Sequence, residues 1–260
     1  LEMFYYVPTP PEAGLSVQSI TYFVPLGGLV RGLHFWAGQF LMAAMALHLL
    51  RVIFTGAYLP PRRLNYWLGM ILFLLILFLN FSGYILRWDD GIRWALVAGT
   101  NLVRSIPLVG EGLYTFLVGG AEPGAPTLLR FYAWHIFGLT LLVVVIGVWH
   151  AFRVRRDGGI ATAPANQRVE RARITRYELV RREVLAMLVS GILLILAAAL
   201  LPAPIAAPMG TVDLPAESRA PWFFLWVQEL LRLGDAFLWG VLVPILLMGI
   251  LLAIPYLFPK

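Results

Sequence analysis

Apolar residues along this chain gather into five blocks, each close to the roughly 20 helical residues that cross a bilayer core. They run from Leu29 to Phe54, Tyr66 to Leu86, Leu128 to Phe152, Val184 to Leu201 and Phe237 to Leu257. The fifth contains Pro244, which a membrane helix tolerates. No strand-like alternation and no internal repeat competes. The pattern predicts an all-α fold, a polytopic transmembrane helix bundle.

The polar stretches between the blocks differ in character. Thr55–Asn65 is short and carries Pro60, Pro61, Arg62 and Arg63. Trp88–Thr127 is rich in aromatics, glycine and proline, and predicts short surface helices lying across the bundle. Residues 153–183 hold arginines 153, 155, 156, 168, 171, 173, 176, 181 and 182. Pro202–Arg219 is proline-rich and leads into PWFFLWVQELL, an amphipathic segment suited to the membrane interface. At the start, LEMFYY reads as the tail of an apolar segment already under way, so an upstream helix is expected.

Composition agrees with embedding in lipid. Hydrophobic residues make up 60% and charged ones 13% of the 260, where a soluble domain carries about 25% charged. The net charge of +6 comes from arginine, since Lys260 is the only lysine. These arginines lie between apolar spans, which points to topology rather than to nucleic acid. Two spans separate Arg62/Arg63 from the arginine-rich linker, so both share a side, and positive-inside bias makes it cytoplasmic. Without cysteine, disulfides, thiolate-held clusters and covalent haem attachment to these residues are excluded.

The candidate chemistry lies in the four histidines, all on two of the apolar blocks. His34 and His48 are 14 residues apart, His135 and His150 are 15 apart. On a helix these intervals span roughly 21 and 22 Å and return to within about 40° and 60° of the starting face. Pairing the two helices antiparallel sets His34 opposite His135 and His48 opposite His150. Two such pairs suit bis-histidine haem iron. A zinc or di-iron site would want clustered ligands and nearby carboxylates. Gly69 and Gly83 on the second span, also 14 apart, recur at the depths of the two histidine layers. They would admit a flat macrocycle, or serve ordinary small-residue helix packing. Arg31 and Arg51 each lie three residues from a histidine and would pair with haem propionates or snorkel to the headgroups.

In order along the chain, SVQSI, Arg31-Gly32-Leu33-His34, LHLLRVIFTGAYLPPR, GYILRWDD, RFYAWH and the final His150 resemble the cytochrome b family of quinol–cytochrome c reductases. The 15-residue interval resembles its cytochrome b6 branch, and Tyr177–Lys260 resembles the separate subunit IV of b6f complexes. The resemblance implies a di-haem four-helix cytochrome b core, its first helix mostly absent here, plus subunit IV-like helices. It divides the chain into a b6-like part (1–152), an arginine-rich cytoplasmic linker (153–183) and a subunit IV-like quinol-site part (184–260). Two b haems are implied on the four histidines, with Arg31, Arg51, Gly69, Gly83 and Arg155 also lining cofactor or quinone sites.

The quinol-oxidation motif of this family is Pro-Glu-Trp-Tyr. Ala220-Pro221-Trp222-Phe223 stands there, a form similar to menaquinol-type relatives in which a Gln-Glu follows, here Gln228-Glu229. Glu229 is therefore the candidate proton acceptor beside Trp222, with Asp89 or Asp90 as alternatives that a solvated loop would equally explain. The family's Pro-Trp is Arg87-Trp88, so the pocket is remodelled. The resemblance implies an oxidoreductase subunit that oxidises quinol by bifurcation, with proton translocation across a bacterial inner (plasma) membrane. A Rieske iron–sulfur protein, a c-type cytochrome and a second copy or larger complex are the implied partners. Arg155 is implied beside a second quinone, or is a plain topology charge. A c-type haem would need a cysteine from an upstream segment. A different class is a di-haem anchor linking the quinone pool to another respiratory enzyme without a Rieske partner.

Overall fold

The structure, a computed structural model, describes residues 2–159, 175–210 and 219–258. Arg168, Arg171, Arg173 and Lys260 lie outside the described residues. Short helices α1 (Glu2–Tyr5) and α2 (Glu12–Tyr22) precede the first long helix, α3 (Gly27–Phe54). Helix α4 (Arg63–Ile85) returns, and two surface helices follow, α5 (Asp90–Arg104) and α6 (Gly110–Val118). A continuous rod is then built from α7 (Ala125–Ala133), a π-helical turn (Trp134–Gly138) and α8 (Leu139–Arg156). Helix α9 (Arg176–Leu200) comes next, then a 3-10 turn (Trp222–Phe224) into α10 (Leu225–Leu231). A second π turn (Leu238–Leu242) leads into α11 (Val243–Leu257). No strand occurs among the described residues.

Among the described residues five helices are long and apolar enough to cross a membrane: Gly27–Phe54, Arg63–Ile85, Ala125–Arg156, Arg176–Leu200 and Leu238–Leu257. They coincide with the five apolar blocks, and the chain is a multi-pass membrane protein. The largest difference is at α9, which starts eight residues ahead of the expected Val184. Thr175 and Glu178 form a capping box there, the Thr175 hydroxyl accepting from the Glu178 amide at 3.2 Å and the Glu178 carboxylate from the Thr175 amide at 3.0 Å. Apolar content alone does not mark such a polar first turn.

Helix α4 lies along α8, and α9 lies along α3. The second contact is close because Gly32 has no side chain: a Cβ there would stand 3.1 Å from the Ala198 carbonyl oxygen. The Trp36 indole donates to the Leu201 carbonyl beside it, 2.9 Å. Helices α3 and α8 are not closely packed backbone to backbone, so side chains bridge the space between them.

The two ends of the bundle are closed differently. At one end the Arg62 guanidinium reaches the Gly159 carbonyl at 3.4 Å, and the buried Arg153 and Asp157 pair at 2.9 Å. This brings Arg62 and the C-terminus of α8 to one arginine-rich side. At the other end the Trp88–Asp90 turn pairs with residues 207–209, through Asp90 N–H to the Ala207 carbonyl (2.9 Å) and Met209 N–H to the Trp88 carbonyl (3.1 Å). Beneath lies a core of Ala13, Ile85, Trp88, Ile92, Leu96, Leu128 and Phe131. The Tyr6 hydroxyl donates to the Leu86 carbonyl at 2.8 Å. Burial, with Tyr132 alongside, pushes its pKa above the ordinary phenol range, so it stays a neutral donor.

Asp89 holds this closure together. Its carboxylate caps α5 by accepting from the Ile92 amide (3.1 Å), accepts from the Ala206 amide (3.0 Å), and pairs with Arg87 at 2.6 Å. Both side chains of that pair are mostly buried, 2% and 13% exposed. Asp89→Ala would leave Arg87 without its counter-charge, an expected loss of about 3–5 kcal/mol. Thermal unfolding in detergent, followed by tryptophan fluorescence, checks this against Glu111→Ala. That variant breaks only the exposed pair with Arg104 and should leave the midpoint nearly unmoved.

Candidate functional site

The four histidines meet as two pairs across the space between α3 and the α7–α8 rod. The His34 and His135 ring centres are 6.0 Å apart at 80°, and those of His48 and His150 are 6.4 Å apart at 86°. On straight α-helices the two intervals differ in phase, since 15 steps overshoot where 14 fall short. The structure removes the difference with the π turn in which His135 sits. One extra residue in the turn absorbs about 100° of rotation, so 15 residues close like 14. The straight-helix phase of about 60° for the second helix is thereby corrected.

Helix α4 orients the rings. Nδ1 of His135 lies 3.1 Å from the Leu79 carbonyl and 3.0 Å from the Ser82 hydroxyl, and Ser82 itself donates to the Leu79 carbonyl at 2.8 Å. Nδ1 of His150 lies 3.1 Å from the Asn65 carbonyl. A carbonyl only accepts, so Nδ1 carries the hydrogen in both and Nε2 keeps its lone pair for a ligand. The glycines explain the access. Gly69 and Gly83 stand four residues after Asn65 and Leu79, where a helical side chain would cover those carbonyls. A Cβ on Gly83 would be 2.7 Å from Cε1 of His135, and one on Gly69 would be 3.2 Å from Cε1 of His150. The 14-residue interval gives the depth of these glycines in the sequence, whereas Leu79, Ser82 and Asn65 are not marked there. Carbonyl acceptors leave no residue-type signature; the glycine four residues on was the available signal.

The pairs fit a bis-histidine metal group. A metal–imidazole bond of about 2 Å on each side, with about 1 Å from nitrogen to ring centre, sets ring centres about 6 Å apart. Met45, Leu49, Val52, Tyr66, Gly69, Met70 and Phe73 line a largely apolar cleft with His48 and His150, which suits an apolar macrocycle. Among the described residues no group of three or more His, Cys, Asp or Glu could jointly hold a metal ion.

The remaining candidates are dispersed. Arg31 donates to the Ala203 (2.6 Å) and Pro204 (3.1 Å) carbonyls, tying α3 to the segment after α9. Arg51 and Arg155 are exposed on the arginine-rich side. The Trp222 indole donates to the Gln39 side chain on α3 at 2.8 Å, and Phe223 packs with Met42 and Ile76. The segment thus sits against the bundle near the His34–His135 layer. Glu229 is exposed and pairs with Arg232 at 3.2 Å, while the Gln228 side chain accepts from the Ala220 amide at 2.7 Å. The Asp89 carboxylate is taken up by capping and its buried ion pair; it serves as a strut of the fold. Asp90 accepts from the Gly210 amide at 2.8 Å.

The family model described as cytochrome b(N-terminal)/b6/petB matches residues 39–208. The menaquinol:cytochrome c reductase cytochrome b subunit of Geobacillus thermodenitrificans is 38% identical over 155 residues, 59% of this chain and 69% of that protein. Cytochrome b6 of Heliomicrobium gestii is 39% identical over 155 residues, 60% and 73%. A solved hyperthermophilic respiratory Complex III chain shares the fold, with TM-score 0.83 at 23% identity over 98% of this chain and 70% of that one.

Gly83→Val should force the His135 ring from its seat. Haem content, read as the pyridine haemochromogen, is expected to fall. Gly147→Val on α8, where an added Cβ meets nothing within 4 Å, should leave it unchanged.

Proposed function

The chain belongs to the cytochrome b/b6 family, and from that premise we propose that it is the cytochrome b subunit of a bc/b6f-type quinol–cytochrome c oxidoreductase, active only within a membrane complex. The observation that carries this reading is the two cross-helix histidine pairs, each with one imidazole Nδ1 hydrogen-bonded to an α4 carbonyl and an α4 glycine at that ring. His34 with His135, and His48 with His150, would each hold one b haem. Bound there, the haems would supply an electron path across the low-dielectric layer. The chain's own residues do the rest. The Leu79 and Asn65 carbonyls fix the imidazole tautomers, Gly83 and Gly69 clear the rings, and apolar side chains keep water from the cleft.

Quinol would bind near Trp222–Glu229 and α5, with a second quinone near Arg155 on the arginine-rich side. Glu229 is exposed and held by Arg232, so receiving a proton there requires that surface pair to open, at little cost. The positive-inside bias of Arg62, Arg63, Arg153, Arg155 and Arg156 supports a cytoplasmic position for that side in a bacterial inner membrane. Proton translocation would then follow from quinone sites on opposite faces. The Geobacillus relative supports menaquinol as the donor. A Rieske protein and a c-type cytochrome are the proposed partners, in a dimer or larger complex, with the b6-like part in 1–152 and the subunit IV-like part in 184–260.

One observation favours a second reading, a di-haem anchor without bifurcation: Pro221 is preceded by alanine and followed by no glutamate until Glu229, which is already paired. Two measurements decide. Dithionite-reduced spectra should show a b-type α-band with two haems per chain, and His34→Ala and His48→Ala should each remove one. Absence of that band would sink the haem reading. Copurification of a Rieske protein with stigmatellin-sensitive activity would support bifurcation, and its absence the anchor.

A further inference from the structure

Helix α11 carries a proline at position 255, buried near its C-terminal end. Proline has no N–H, so the Leu251 carbonyl loses the donor that residue i+4 normally supplies. Within a membrane helix such a carbonyl needs a partner from elsewhere. The Tyr66 hydroxyl supplies it from α4, donating to the Leu251 carbonyl at 2.6 Å. The same turn of α4 grips the end of α11 twice more. The Arg63 guanidinium lies 5.1 Å from the Tyr256 ring centre, and the Trp67 ring meets Tyr256 edge-on at 6.4 Å. Tyr58, Tyr66, Met70 and Ile254 form one buried cluster there.

Tyr66 also faces the other way. It lines the cleft that holds His48 and His150, and the residue before it, Asn65, offers the carbonyl that accepts from His150. One short stretch of α4 therefore touches α11 through a hydroxyl and orients a histidine through the adjacent carbonyl. We propose that Tyr66 is a positioning residue that couples the seating of α11 to the orientation of His150. This rests on the reading of His150 as a haem ligand. The C-terminal helix then adjusts the geometry of the inner haem alone, since the His34–His135 layer has its own carbonyl and hydroxyl contacts at Leu79 and Ser82.

The test is a double-mutant cycle in the purified full chain with its haems. Tyr66→Phe should shift the low-spin ferric EPR signal and the midpoint potential of the haem that His48→Ala removes. The other haem should be unmoved, and the thermal midpoint should fall by about 2–4 °C. Pro255→Ala restores an amide for the Leu251 carbonyl, so adding Tyr66→Phe in that background should change neither the signal nor the midpoint. Two haems with an unmoved inner signal in Tyr66→Phe would overturn the inference alone, as would an undiminished effect in the Pro255→Ala background. A wild-type chain without b-type signals would overturn the haem reading and this inference with it.

Discussion

In the core of a bilayer a polar group without a partner costs several kcal/mol, because no water is there to take the missing bond. The imidazoles of His135 and His150, on the α7–α8 rod, satisfy their second nitrogen on protein. Helix α4 meets that demand with its own backbone. The carbonyls of Leu79 and Asn65 each have a second lone pair to give, and Gly83 and Gly69 leave those carbonyls uncovered. The depth of the two layers, the glycine interval and the packing of α4 on α8 all follow from this one requirement. The π turn at His135 belongs to the same solution, since it brings a 15-residue interval into phase with a 14-residue one.

The ends of the bundle show the same accounting under different solvent. Toward the arginine-rich side, the buried Arg153–Asp157 pair closes α8, and Arg62 reaches across to Gly159. Toward the other side, one carboxylate, Asp89, serves an amide of its own helix, an amide of the Ala203–Gly210 segment and the Arg87 guanidinium. Arg87, where the family resemblance led one to expect proline, is thus the counter-ion of a strut. That strut fixes the floor on which α5 sits. The aromatic segment at Trp222–Phe224 is anchored independently, through Gln39 and the Met42–Ile76 cluster. Glu229 therefore stands on a separately held and more exposed element than the strut does.

Much of this was legible in the chain itself. Five apolar blocks became five long helices, because lipid rewards apolar length irrespective of partners. The histidine intervals named which rings face one another, because helical periodicity is local. Sequence by itself also determined the family, through motifs spread along nearly the whole b6-like part. Tertiary structure alone decided what the second nitrogens of His135 and His150 meet, that Asp89 is taken up as a cap and counter-ion, that Arg31 serves carbonyls after α9, and that Tyr66 replaces the amide lost at Pro255. The reason is physical. Hydrophobic length and phase are properties of a segment, whereas a hydrogen bond to a backbone carbonyl depends on which distant turn is brought within 3 Å, and any residue type can offer that carbonyl.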